Sequence, residues 1–269
     1  AGRCLWSRRV CSAACVWRAC QAAYGACIER YHRRHDTSAG EIRPTSMAAP
    51  SASRPIDEPH GRGPGRRLTM ATLRAGAREL AVRDRDLARI VEQHGHPPLW
   101  GRPPGFATLV WIILEQQVSI ASARTLFRRL RIALGGHVTP ATVTHLGIAG
   151  LREFGLTRQK ARYCNELAQR LLDGALDLRV VSRATEAQAR AMLLAVPGIG
   201  HWTADIYFLM ALRRPDVWPR GDLALAISMR DVKRLEAVPS REQQVELAER
   251  WAPWRSVAAR ILWMHYLAR

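Results

Sequence analysis

Between two apolar helical runs this chain leaves room for only four residues, Pro197-Gly198-Ile199-Gly200. Leu193-Leu194-Ala195-Val196 closes onto that stretch, and His201-Trp202-Thr203-Ala204 opens directly after it. Two helices joined by so short a turn must fold back as a tight hairpin. Gly198 and Gly200 permit it. Glycine accepts a positive φ, and without a Cβ the N–H groups opening the second helix can come close to a phosphate oxygen. Ile199 between them is expected to point back and lock the helices together.

The chain around the hairpin reads as helical from Ala71 onward. Leu80, Leu87, Ile90 and Val91 mark an amphipathic segment ending at Gly95, and Pro97-Pro98 with Pro103-Pro104 force an extended connection. Phe106 to Gln117 reads as a buried helix; Ser119 caps the next, which Gly135-Gly136 stops. Thr139-Pro140 supplies a cap and a proline at the first helical position. Thr157 opens a helix with Ala161, Cys164, Leu167, Ala168, Leu171 and Leu172 on one face. Thr185 with Gln188 and Ser240 with Gln243 are capping boxes, and Trp251-Ala252-Pro253-Trp254 starts the final helix. No segment alternates with period two, so the expected class is all-α.

Of 41 basic residues only Lys160 and Lys233 are lysines, and the net charge of +18 favours a polyanionic partner, nucleic acid first. Residues 1–69 differ from the rest. They carry Cys4, Cys11, Cys15, Cys20 and Cys27, then a Ser/Pro/Gly/Arg-rich run from Thr37 to Arg67 that cannot bury enough apolar surface to fold. This extension holds twelve basic and five acidic residues, so a surplus of eleven positive charges stays with the body. It is expected to be disordered and dispensable, with Met47 or Met70 as the natural start, and residues 70–269 to form the domain. Arg18 interrupts an apolar stretch already too short for a secretory signal. No run of 18 apolar residues exists, so no membrane partner is expected. The nine histidines show no metal-binding spacing.

The hairpin sequence, with Asp222 standing 18 positions after Ala204, resembles the helix-hairpin-helix (HhH-GPD) DNA glycosylase superfamily, in which a Gly/Pro-rich loop leads to an essential Asp. Three further stretches are similar to its alkylated-base branch, the 3-methyladenine DNA glycosylase II type: Glu115-Gln116-Gln117-Val118-Ser119, Gly155-Leu156 with Lys160-Ala161 and Tyr163, and Trp254-Arg255-Ser256 with Trp263. Glu115 departs from the pattern, because that branch usually has Gly there. The cysteines of the extension come near the iron–sulfur loop of some relatives, but two gaps differ and the loop belongs after the catalytic Asp, so no cluster is expected.

The resemblance implies a two-lobed fold with a middle lobe from about Val110 to Tyr207, and a base-excision repair enzyme that removes alkylated purines from double-stranded DNA. It implies Asp222 as the catalytic carboxylate, with helix capping alone as the other reading of that residue and Asp205 and Asp216 as competitors. Flat apolar surfaces suit an extruded base, and electron-rich rings suit a cationic one; Trp202 and Trp263 are the candidates. Gln117 matches the residue that fills the gap left by the extruded nucleotide. Gly198, Gly200, His201 and Thr203 are expected at the DNA phosphate, where the carbonyls of Leu194, Val196 and Ile199 match those that hold a Na+ or K+. A monomer is expected, cytoplasmic in a bacterial source. Two alternatives stay open: a non-enzymatic hairpin DNA-binding module, and a bifunctional or mismatch glycosylase, although those enzymes place a lysine where Trp202 stands.

Overall fold

A computed structural model describes residues 67–269; the five N-terminal cysteines and the extension up to residue 66 lie outside the described residues. Every regular element among the described residues is helical. In chain order they are α1 (Met70–Arg83), α2 (Arg85–His94), α3 (Phe106–Glu115), α4 (Ile120–Ala133), α5 (Pro140–Glu153), α6 (Arg158–Leu172), α7 (Leu178–Arg183), α8 (Glu186–Leu194), α9 (His201–Ile206), α10 (Leu223–Lys233), α11 (Arg241–Glu249) and α12 (Arg255–Leu267). A π-helical turn, Tyr207–Ala211, extends α9.

Local chemistry explains where these helices begin. Ser119, Thr157, Thr185 and Ser240 each accept a backbone N–H of the first turn that follows, and Thr185/Gln188 and Ser240/Gln243 are reciprocal capping boxes. Two expectations are revised. The amphipathic stretch ending at Gly95 is two helices, because Asp84 breaks it: its Oδ1 accepts the N–H groups of Asp86 and Leu87 at 3.1 and 3.3 Å. The packed body also starts before Met70. Leu68 is buried and donates its N–H to Arg213 O at 2.7 Å, and Thr69 caps α1.

Helices α3 to α9 form one lobe, with α5 on α6, α3 on α4 and α6, and the α8–α9 hairpin on α3. Helices α1 and α2 pack with α10 and α12 into the other. Trp254 lies so close over Gly76 that a Cβ there would stand 2.6 Å from its ring. Lys233 at the end of α10 donates to Asp84 at 2.6 and 2.7 Å, and Trp251 Nε1 donates to the same carboxylate at 2.8 Å. Removing Lys233 would leave the Asp84 charge without its cation, so this set ties the α1–α2 junction to the end of α10 and to Trp251. The segment linking the hairpin to α10 runs between the lobes, and Asp222 stands at its end.

Candidate active site and nucleic-acid interface

The hairpin is shaped by contacts from three directions. Gly198 has φ +87°, and a Cβ on it would meet Tyr163 of α6 at 2.2 Å. Glycine is therefore required there both by backbone conformation and by ring contact. Gly200 differs from expectation. Its φ is −90° with ψ −179°, which any residue adopts, and a Cβ would face open space. The missing side chain at Gly200 leaves room for a ligand and does nothing for the turn. Ile199 is buried, as expected.

Helix α9 has no side-chain cap, and its first backbone bond runs from Ala204 N–H to Gly200 O at 3.0 Å. The N–H groups of His201, Trp202 and Thr203 precede that bond and are free to meet an anion. His201 is exposed on the cleft beside them. Thr203 is 2% exposed, and its Oγ1 accepts from Gln116 Nε2 at 2.9 Å. Its side chain thus braces the interior, leaving only its backbone N–H for the DNA role expected of it. Gln116 Nε2 also donates to Gly198 O at 2.8 Å, clamping the hairpin to the α3–α4 turn. The next residue, Gln117, is exposed, has φ +56° and borders the same cleft. The cleft is about 1080 Å³ and runs between this turn, the hairpin and α11. Leu194, Val196 and Ile199 line it as well; Val196 O accepts Ile199 N–H at 3.0 Å.

A smaller, mainly apolar pocket shares Glu115 and Trp202 with the cleft, and Trp100, Met210, Trp263 and Asp222 are among the residues that line it. Trp202 and Trp263 face it, and they do more than present rings. Trp202 Nε1 donates to Asp222 Oδ2 at 3.0 Å, and Trp263 Nε1 donates to Asp222 Oδ1 at 3.2 Å. Leu225 N–H adds a third bond at 3.0 Å, so Asp222 is also the cap of α10. Capping and an active-site position coexist in this one side chain. Asp222 is 3% exposed, and burial pushes its carboxyl above the ordinary aspartate range, opposed by the hydrogen bonds from Trp202, Leu225 and Trp263.

The competing carboxylates have other tasks. Asp205 is fully buried and paired with Arg190, and its other oxygen accepts Arg220 N–H at 3.2 Å, steadying the segment before Asp222. Asp216 is bidentate with Arg255 and accepts the N–H of that residue at the start of α12. Among the described residues Asp222 has donors and no cationic partner. Both lysines are also engaged. Lys160 Nζ donates to Leu114 O at 2.8 Å, its pKa lowered by burial, and Lys233 is held by Asp84 and Asp86.

Several site residues were not singled out from the sequence. Trp100, with φ +45°, packs edge-on against Trp263 with ring centroids 6.4 Å apart. Arg102 was likewise unmarked, and it pairs with Glu115, the residue noted from the sequence as a departure from the family pattern; Tyr163, from the stretch that carries Lys160 and Ala161, supports Gly198. The proline-flanked setting of Trp100 marked an extended segment without showing where it docks.

Residues 110–253 match the family model described as HhH-GPD superfamily base excision DNA repair protein. A Mycobacterium tuberculosis protein, whose name describes a bifunctional transcriptional activator and DNA repair enzyme, is 33% identical over 219 residues, covering 72% of this chain and 42% of that one. Among solved structures, a DNA-3-methyladenine glycosidase from Bacillus halodurans superposes with TM-score 0.61 at 26% identity, covering 71% of this chain and 88% of that one. A Schizosaccharomyces pombe 3-methyladenine DNA glycosylase in complex with abasic DNA shares the fold, with TM-score 0.62, 23% identity and coverage of 70% and 95%. The chain spans 64% and 42% of the length of two curated relatives it matches.

Proposed function

The chain belongs to the HhH-GPD superfamily of base excision DNA repair proteins, and from that premise we infer that it is a monofunctional DNA glycosylase that hydrolyses the N-glycosidic bond of alkylated purines. One observation carries the reading: a buried carboxylate, Asp222, stands at the wall of an aromatic pocket with three N–H donors and, among the described residues, no counter-cation. An unpaired buried anion is costly in a merely structural role. It becomes useful when positive charge develops beside it.

Duplex DNA lies along the cleft, its phosphate at the open face of Gly200 and the free N–H groups of His201, Trp202 and Thr203. Gln117 occupies the gap left in the stack, and the extruded purine enters between Trp202 and Trp263. As the bond to the base lengthens, the deoxyribose becomes oxocarbenium-like, and ionised Asp222 stabilises charge that is absent in the ground state. The same carboxylate orients the attacking water. Its two indole donors hold it in place and favour its ionised form. Among the described residues both amines, Lys160 and Lys233, are engaged elsewhere, so the product is an abasic site in an intact strand.

Leu194, Val196 and Ile199 border the cleft, and carbonyl oxygens at those positions would be a donor set suited to a monovalent cation. Such an ion would neutralise phosphate charge there when bound. The active unit proposed is a monomer.

The test is duplex DNA treated with a methylating agent, with released bases separated by chromatography and strand integrity followed on a gel. Free 3-methyladenine and an intact strand are expected. Tight, salt-sensitive binding without base release would leave the protein a hairpin DNA-binding module.

A further inference from the structure

Glu115 and Arg102 form a charged pair that the glycosylase mechanism does not use. Arg102 donates through Nη2 to Glu115 Oε1 at 2.7 Å and through Nη1 to Oε2 at 2.9 Å, and both side chains are largely buried. The guanidinium lies over the Trp111 ring, 4.7 Å from its centre, while Arg102 N–H donates to Met210 O at 2.9 Å. This ion pair is thereby fixed in position. Glu115 and Trp202 border both the cleft and the apolar pocket, so on the glycosylase reading they flank the passage of a base from one to the other.

A carboxylate bound edge-on to a guanidinium still has lone pairs to spare, and the guanidinium has five N–H donors of which Glu115 takes two. The passage therefore presents an acceptor beside a donor. Purines carry the complementary arrangement, an amino or ring N–H next to a ring nitrogen or oxygen. Etheno adducts of adenine have lost it, because the added ring consumes the amino hydrogens.

We propose that Glu115, oriented by Arg102, is a specificity-determining residue that accepts an N–H from the edge of the extruded purine at the pocket mouth. The proposal rests on the glycosylase reading above. It makes the pocket select bases that keep an N–H donor over bases whose edge holds acceptors only. A site built around a hydrogen bond discriminates strongly against a ligand that leaves its buried polar group unpaired.

The experiment uses Glu115→Gln, which keeps the volume and turns one acceptor into a donor, and Glu115→Gly, which removes the group. Three quantities are measured for each and for the parent protein: release of 3-methyladenine from methylated duplex, release of 1,N6-ethenoadenine from a duplex carrying it at one site, and affinity for a duplex carrying an abasic site. The abasic duplex puts no base in the pocket. The proposal expects 3-methyladenine release to fall roughly tenfold to a hundredfold while ethenoadenine release does not fall and abasic affinity stays within about twofold. A merely structural pair would move all three, since Gln116 beside it clamps the hairpin. Equal losses on both bases, a matching loss of abasic affinity, or an unchanged 3-methyladenine rate overturns the proposal. A parent protein that releases neither base fails the glycosylase reading itself, and this inference falls with it.

Discussion

The two hairpin glycines should respond in opposite ways to the same substitution. In Gly198→Ala the new Cβ would lie 2.2 Å from Tyr163 Cγ and 2.5 Å from Cδ2, on a residue with φ +87°. A left-handed conformation costs a non-glycine residue about 1–2 kcal/mol, and overpacking against a held ring adds about 1–3 kcal/mol. The sum is about 2–5 kcal/mol, equivalent to roughly 4–20 °C in melting temperature for a domain of this size. In Gly200→Ala the backbone is already in an ordinary extended conformation and the Cβ meets nothing within 4 Å. Melting should stay level or rise slightly, since alanine restricts the unfolded chain. On the proposed reading, DNA is what that Cβ meets. Affinity for duplex, read by fluorescence anisotropy, should fall about tenfold or more in Gly200→Ala with folding intact. Equal destabilisation by the two alanines, or a stable Gly200→Ala protein that binds DNA as the parent does, would refute this division of labour.

Three further outcomes follow from the same geometry. The proposed excision uses ionised Asp222, whose carboxyl burial raises, so activity should fall on acidification at a pH above the ordinary aspartate range; Trp202→Phe removes an N–H that favours the anion and should move that acid limb toward neutrality. A limb left in place or displaced downward would contradict the hydrogen bond's role. Borohydride added during turnover should trap no protein on DNA, because both lysines are engaged, and an efficient covalent product would force a bifunctional reading. A chain shortened to begin at Met70 loses buried Leu68 and should melt below one beginning at Arg67 by the equivalent of about 2–3 kcal/mol, whereas equal melting temperatures would show that Leu68 contributes nothing.

Much of this was legible in the sequence because the signals were local. A cap is a contact across three residues, so Thr185 with Gln188 and Ser240 with Gln243 announced themselves, as did a turn with only Pro-Gly-Ile-Gly to work with. Asp222 stood out through the resemblance to a superfamily in which such a loop leads to an essential Asp. Long-range partners left no such trace. Arg102 meets Glu115 from a proline-rich stretch with no period, and Trp100 reaches Trp263 across 163 positions of chain. Thr203 illustrates a residue type that gives no direction: a hydroxyl one turn into a helix faces solvent or core depending on its neighbour, here Gln116. Of the two properties offered for Gly200, positive φ is not used and open space beside the backbone is, since sequence cannot separate a glycine needed for φ from one needed for space. The α1–α2 break was missed because apolar spacing continues through Asp84, and the cap that interrupts it becomes visible only with Lys233 and Trp251 around it.

Single-turnover release of 3-methyladenine by Asp222→Asn tests the catalytic assignment most directly. Asparagine keeps an acceptor for Leu225 N–H and Trp263 Nε1, so the α10 cap survives while the charge is lost. An anion about 4 Å from a developing cation contributes about 4 kcal/mol at an effective dielectric constant near 20, or roughly a thousandfold in rate. A loss of that order is predicted, with affinity for an abasic duplex and the helical circular dichroism spectrum unchanged. Release at near the parent rate by a normally folded Asp222→Asn protein would mean that Asp222 is a helix cap and nothing more.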